Sequence, residues 1–121
     1  VDASSLEFVC NAPDPAAGLA IARAETWVRR NIDRHFSMED VAAAVALGPR
    51  TFARRLQAAC GLSPIQFVRR IRLETAQLLL ASTRLPLDRI AQSVGYAEPS
   101  TLRRLIRRDT RHPPGYFRAA R

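Results

Sequence analysis

Lysine is absent from this 121-residue sequence, and cysteine, histidine, tryptophan and methionine together supply only six positions. The two cysteines, Cys10 and Cys60, lie far apart and lack any metal-ligand spacing, which excludes a disulfide-dense scaffold or a zinc cluster. Cys60 closes a helical apolar pattern and is expected to be a small buried thiol. With no signal-peptide pattern, the composition points to a reducing cytosol. No apolar run approaches the roughly 20 residues needed to cross a bilayer, so no membrane span is expected. His35 and His112 are distant and fit no ligand or triad spacing. A glycine-rich phosphate loop is missing, and the acidic residues are scattered along helix starts, where they offset the helix dipole. No catalytic site, cofactor or metal is expected.

What the chain does have is positive charge and apolar residues. Its formal net charge is +8 and its pI about 11.3, an excess that attracts polyanions and says nothing about fold. All nineteen basic residues are arginine, so each carries a planar donor fork suited to phosphates and guanine edges. A hydrophobic fraction of 47% excludes a disordered tail and suffices for a core.

Nothing alternates with the period of a strand; the chain is expected to be all-α, with about seven helices. Residues 1–17, with Pro13 and Pro15 and no clear period, read as an arm or linker. Ile21, Ala24, Val28 and Ile32 recur at helical spacing and predict a helix over Gly18–His35. Ser37 and Asp40 form a capping box that opens a short helix with Val41, Ala42 and Val45 inward. Gly48-Pro49 breaks it and starts a third helix, with Phe52 and Leu56 inward, which Gly61 stops. Ser63-Pro64-Ile65-Gln66 opens a long helix reaching Ala81, with Phe67, Val68, Leu73, Ala76, Leu79 and Leu80 as its core side. Pro86 restarts the chain, Leu87, Ile90, Ala91 and Val94 repeat the short stripe, and Gly95-Tyr96 turns it. A sixth helix over Glu98–Asp109 carries Leu102 and Ile106 inward, and Pro113-Pro114 precedes a last short helix. Trp27 and Phe36 are expected in the core.

The second half echoes the first. Val41-Ala42 and Val45 match Ile90-Ala91 and Val94 at an offset of 49 residues. Beyond the turn, Phe52, Arg54 and Leu56 match Leu102, Arg104 and Ile106 at an offset of 50, so the second copy has one extra residue in its turn. Each copy is a short helix, a turn and a second short helix, the arrangement that sets its second helix in a DNA major groove. Two such patterns with a common spacing are far more specific than one. Two helix-turn-helix units (18–62 and 82–121) joined by a linker helix (63–81) are therefore expected. A helix of about 18 residues spans roughly 27 Å, which would bring two reading helices to a separation on the order of 34 Å, one turn of duplex. Copies arranged head to tail imply an asymmetric site.

The residues that carry these features resemble the AraC-type transcription regulators over about Gly18–Arg118. In the first unit the likeness rests on Arg50-Thr51-Phe52-Ala53-Arg54-Arg55-Leu56 and Gly61-Leu62-Ser63-Pro64, and in the linker on Arg72-Leu73, Ala76 and Leu79-Leu80. In the second it rests on Ile90-Ala91, Val94-Gly95-Tyr96, Ser100, Arg104, Pro114 and Phe117-Arg118. Arg111 stands where the family usually has glycine, and Leu102 and Ile106 replace its usual aromatics. The likeness is greatest to the branch whose N-terminal domain resembles a class I glutamine amidotransferase. It implies bacterial, cytoplasmic, nucleoid-associated transcription regulation through double-stranded DNA, with RNA polymerase as a further partner and a sensor domain elsewhere in the same protein. The resemblance also implies base contacts at Arg50 and Arg54.

Candidate base-edge residues are Arg50, Thr51, Ala53 and Arg54 in the first unit, and Ser100, Thr101, Arg103 and Arg104 in the second. Candidate phosphate contacts are Ser37, Arg55, Gln57, Ser63, Arg107, Arg108 and Arg111. The plain alternatives are solvated arginines and, for Ser37 and Ser63, helix caps alone. Two other classes remain open from sequence. A non-specific basic binder of nucleic acid would keep the charge without a preferred site. A helical protein-interaction module would bind without the linear fall of log affinity on log salt that phosphate contacts impose.

Overall fold

The computed structural model describes residues 15–119, which form seven α-helices and, among those residues, no strand. They are α1 (Pro15–Arg30), α2 (Met38–Ala44), α3 (Pro49–Cys60), α4 (Pro64–Ser82), α5 (Leu87–Ser93), α6 (Pro99–Thr110) and α7 (Pro114–Ala119). The expected arm over residues 1–17 lies outside the described residues up to position 14, and its last three residues are the first turn of α1. Pro15 suits that first turn because its missing N–H would have had no intrahelical partner.

The helix expected over Gly18–His35 ends earlier, at Arg30. Asn31 terminates it: its backbone N–H bonds to Trp27 and Val28 carbonyls, and its side-chain amide donates to the Trp27 carbonyl at 2.8 Å. Ile32 fits the helical spacing but packs against a different core from Ile21, Ala24 and Val28.

The chain divides into two compact units, and the division falls inside α4. The first takes the chain through Asn31 and then His35–Ile71; the second takes Ile32–Arg34 and everything from Arg72. In the first unit Ile21, Ala24 and Val28 of α1 are buried, as are Val41 and Ala42 of α2 and Phe52 and Leu56 of α3. Phe67, Val68 and Ile71 from the start of α4 complete it, with Phe67 edge-on to Phe52 at 6.3 Å. In the second unit Leu73, Ala76 and Leu80 of α4 pack with Ile90, Ala91 and Val94, and with Leu102, Leu105 and Ile106 of α6. Burying a valine, leucine, isoleucine or phenylalanine is worth roughly 1.5–3 kcal/mol, and seven or eight of them hold each unit together.

The helix expected as the linker, residues 63–81, contributes side chains to both units. Leu73, Ala76 and Leu80 repeat the spacing of Ile21, Ala24 and Val28, shifted by 52 residues. The C-terminal part of α4 is thus the first helix of the second copy, as α1 is of the first. Its N-terminal part, with Phe67, corresponds to α7, with Phe117. One helix serves both copies.

Both turns share a backbone scheme. Leu47 N–H bonds to the Ala42 carbonyl at 3.0 Å, and Tyr96 N–H to the Ala91 carbonyl at 2.8 Å. Ala46 and Gly95 occupy equivalent positions with φ of 59° and 92°. The schemes agree through Tyr96, so the extra residue of the second copy falls just before Pro99. Three other expectations are corrected. Trp27 and Phe36 are half-buried, packed edge to face on each other at 5.1 Å, instead of enclosed. Val45, the C-cap residue of α2, is half-buried, whereas its counterpart Val94, the C-cap residue of α5, is buried. Cys60 is half-buried instead of enclosed, since it sits in the last turn of α3 where the stripe leaves the core.

Helices α3 and α6 end alike, on a left-handed residue: Gly61 at φ 70° and Arg111 at φ 65°. Glycine adopts this conformation freely, whereas a residue with a Cβ is strained there by roughly 1–2 kcal/mol, offset in part by glycine's larger loss of chain entropy. Arg111→Gly is therefore expected to stabilise the second unit by about 0.5–1 kcal/mol. Thermal unfolding followed by circular dichroism checks this; an unchanged or lower Tm would contradict the strain.

Candidate nucleic-acid interface

Helices α3 and α6 each have twelve residues, begin with proline after an extended N-cap residue, and bury one narrow stripe. With Phe52 and Leu56 inward, a 3.6-residue period sends Arg50, Arg54 and Gln57 to the opposite face, and all three are exposed. Thr51, Ala53 and Arg55 flank that face and are half-buried. On α6, with Leu102, Leu105 and Ile106 inward, the outward face carries Ser100, Arg104 and Arg107. Arg103 and Arg108 are also exposed, and Thr101 is half-buried.

The structure thus brings Arg50, Arg54 and Gln57 onto one face of α3, and Ser100, Arg104 and Arg107 onto one face of α6. Arg54 and Arg104 are equivalent, as are Arg50 and Ser100, Ala53 and Arg103, and Gln57 and Arg107. Among the described residues, no side-chain hydrogen bond or ion pair engages the guanidinium groups of Arg50, Arg54, Arg103, Arg104 or Arg107. Arg108 differs, pairing with Asp109 at 3.2 Å. Arg111 is exposed and caps α6 through its own N–H to the Arg107 carbonyl at 2.8 Å. Two rows of arginine forks, free of acidic partners, offer planar donors to an anion or to a base edge.

Ser37 and Ser63 sit elsewhere, at the starts of α2 and α4. Each completes a capping box. Ser37 Oγ accepts from Asp40 N–H at 3.1 Å, and Asp40 accepts from Ser37 N–H at 2.9 Å. Gln66 N–H donates to Ser63 Oγ at 3.2 Å, and Ser63 N–H to Gln66 at 2.9 Å. Their hydroxyls already accept a bond, which leaves the proton and a second lone pair for an outside group.

Sequence reasoning missed two residues that shape this surface. Leu105 is buried where the first unit has Arg55, a difference that the 3-4 spacing of Leu102, Leu105 and Ile106 could have signalled. Arg72 donates to the carbonyls of Ile32 at 2.5 Å and Val94 at 2.6 Å, and its guanidinium carbon lies 5.8 Å from the centre of the Tyr96 ring. Burial lowers its pKa from the ordinary arginine value, and the Tyr96 hydroxyl acts the other way. Arg72 carries part of the family likeness, but no local pattern announces its contacts, because the partner carbonyls lie 40 and 22 positions away. Arg118 has a similar role, donating to the carbonyls of Thr83 at 3.0 Å and of Leu85, and so tying α7 to the segment before α5.

A family model described as a helix-turn-helix domain matches residues 41–120. An AraC-like transcription regulator of Streptomyces lividans is 35% identical over 105 residues, covering 84% of this chain and 34% of that protein. The chain belongs to the AraC-type helix-turn-helix family. The arabinose operon regulatory protein of Salmonella typhimurium is 30% identical over 87 residues, covering 72% of this chain and 31% of its own length. This AraC-type chain therefore spans about a third of the length of the curated relatives it matches. Among solved structures, the DNA-binding domain of the global transcriptional factor AdpA, in complex with a target DNA, aligns with a TM-score of 0.73 and 30% identity. That alignment covers 84% of this chain and 91% of the other. An AraC-type regulator from Chromobacterium violaceum shares the fold at a TM-score of 0.81 and 22% identity, covering 88% and 95% of the two chains. Among the described residues, no helix is long and apolar enough to cross a membrane.

The capping boxes give a direct test of this family's helix starts in the present chain. Ser63→Ala removes the acceptor for Gln66 N–H and is expected to lower stability by about 1 kcal/mol. Ser37→Ala should do the same for α2. Denaturant unfolding checks both, and a change near zero for either would show that water replaces the cap without loss.

Proposed function

We propose that this chain binds double-stranded DNA at a specific, asymmetric site, and that it serves transcription regulation by binding and not by chemistry. The observation that carries the reading is the pair of equivalent outward helix faces, with Arg54 and Arg104 at matching positions and no acidic partner on either. Arginine placed this way can hold guanine O6 and N7 with two bonds, worth roughly 1–3 kcal/mol of discrimination. On this reading Arg50, Thr51, Ala53 and Arg54 face base edges in one segment of the site. Ser100, Thr101, Arg103 and Arg104 face them in the other, and the two segments lie in successive major grooves. Arg55, Gln57, Arg107, Arg108 and Arg111 contact phosphates, helped by Ser37 and Ser63 at helix starts whose N–H groups also attract anions. That a similar domain, the DNA-binding domain of AdpA, is solved in complex with a target DNA supports the DNA-binding reading. For the whole protein, the family suggests a cytoplasmic, nucleoid-associated regulator with a sensor domain in the same protein and RNA polymerase as a partner.

Selection from random duplexes is the deciding experiment. A defined motif is expected; no motif would leave a non-specific basic binder. Arg54→Ala should relax preference at one end of the motif and Arg104→Ala at the other, each by about tenfold at a guanine position. Equal weakening on all sequences would make the residue a phosphate contact instead. Inserting five base pairs between the two segments turns one groove to the opposite face of the duplex. Binding measured by fluorescence anisotropy should then lose most of its affinity, and unchanged affinity would refute simultaneous reading.

A further inference from the structure

In the second unit the turn before the reading helix α6 is built around an arginine from another helix. Arg72, on α4, places its Nη1 against the carbonyls of Val94 in the turn and Ile32 in the segment that packs with this unit. Gly95 makes room for it. A Cβ at that position would collide with Arg72 Nη1 and with the Ile32 carbonyl oxygen, an approach that no side chain tolerates.

The first unit has the same turn without this device. At the 52-residue shift that relates α1 to α4, the counterpart of Arg72 is Ala20. The counterpart of Gly95 is Ala46, which keeps a Cβ at φ 59°. Arginine and glycine thus occur together in one copy, and alanine and alanine in the other. Both turns hold the same backbone bonds to Ala42 and Ala91, so a left-handed residue alone suffices to close the turn. The longer second turn, with its additional residue before Pro99, has one more rotatable peptide between the turn bonds and α6. The guanidinium tether falls in the copy that has that slack.

We infer that Arg72 is a positioning residue for DNA reading by α6: it and Gly95 act as one pin that fixes the turn, and through it the angle at which Ser100, Arg103 and Arg104 meet base edges. The inference rests on the DNA-binding reading above. Removing the pin is expected to blur selectivity at the Arg104 end of the site and leave the Arg54 end intact.

The test uses the full chain and random-duplex selection, with the two ends of the motif assigned by Arg54→Ala and Arg104→Ala. All variants are compared at a temperature where circular dichroism shows their helices intact. Arg72→Met keeps the length and apolar stem but has no donor; Arg72→Gln, with one amide donor, replaces it if the methionine variant does not fold. Either should reduce discrimination at the Arg104 end by about tenfold, with less than about twofold change at the Arg54 end. Arg72→Lys, whose ammonium can donate to both carbonyls, should restore most of it. Gly95→Ala should reproduce the loss at the Arg104 end in the wild-type background. A folded Arg72 variant with unchanged preference, or equal losses at both ends, overturns the pin. If the wild-type chain itself selects no motif, the DNA-binding reading fails first and the pin falls with it.

Discussion

Helices α3 and α6 are each held by a stripe only two or three side chains wide, and that constraint organises everything else in the two units. A twelve-residue helix that buries Phe52 and Leu56, or Leu102, Leu105 and Ile106, must turn the rest of its circumference elsewhere. The 3.6-residue period then leaves no freedom over which residues lie opposite: Arg50 and Arg54 in one copy, Ser100 and Arg104 in the other. A wider stripe would have consumed positions that now present guanidinium groups. A narrower one would have left the helix without the packing that short helices need, since propensity alone does not sustain twelve residues in water.

The turns complete this constraint. A left-handed residue after the first short helix closes each turn, and a left-handed cap ends each reading helix, yet the four positions are filled by Ala46, Gly95, Gly61 and Arg111. Only at Gly95 does a neighbouring group demand the absence of a side chain. At Arg111 the backbone accepts strain, and a further exposed guanidinium stands at the end of a helix that already carries Arg107 and Arg108. Those cations lie in the last turn, where they complement the helix dipole. The two copies therefore share a backbone and differ in chemistry: α3 exposes Arg50 and Arg54, whereas α6 exposes Arg103, Arg104, Arg107 and Arg108.

Much of this architecture is legible in the order of residues alone. The capping boxes at Ser37 and Ser63, the glycine stop at Gly61 and the proline starts at Pro49 and Pro64 are local signals. Each acts over three or four residues, and each sits where expected. The outward positions of Arg50, Arg54 and Arg104 follow from the same short-range period. The misleading signals are also periodic. Ile32 continues the stripe of Ile21, Ala24 and Val28, but Asn31 ends the helix, and Ile32 joins the other core. Size alone predicts Trp27 and Phe36 inside, whereas they cover each other at the edge.

Helix number and type, the duplicated helix-turn-helix pattern, and the face of each reading helix that carries its arginines are all written in the chain itself. These depend on contacts between residues a few positions apart, where spacing and geometry are the same thing. The sharing of α4 is not written there: it gives Phe67 to one core and Leu73, Ala76 and Leu80 to the next, and packing in three dimensions sets that division. The same holds for Arg72, which reaches carbonyls 22 and 40 residues distant. Both features depend on which separate segments pack together, and a backbone carbonyl has no signature in the sequence to say which distant donor will find it.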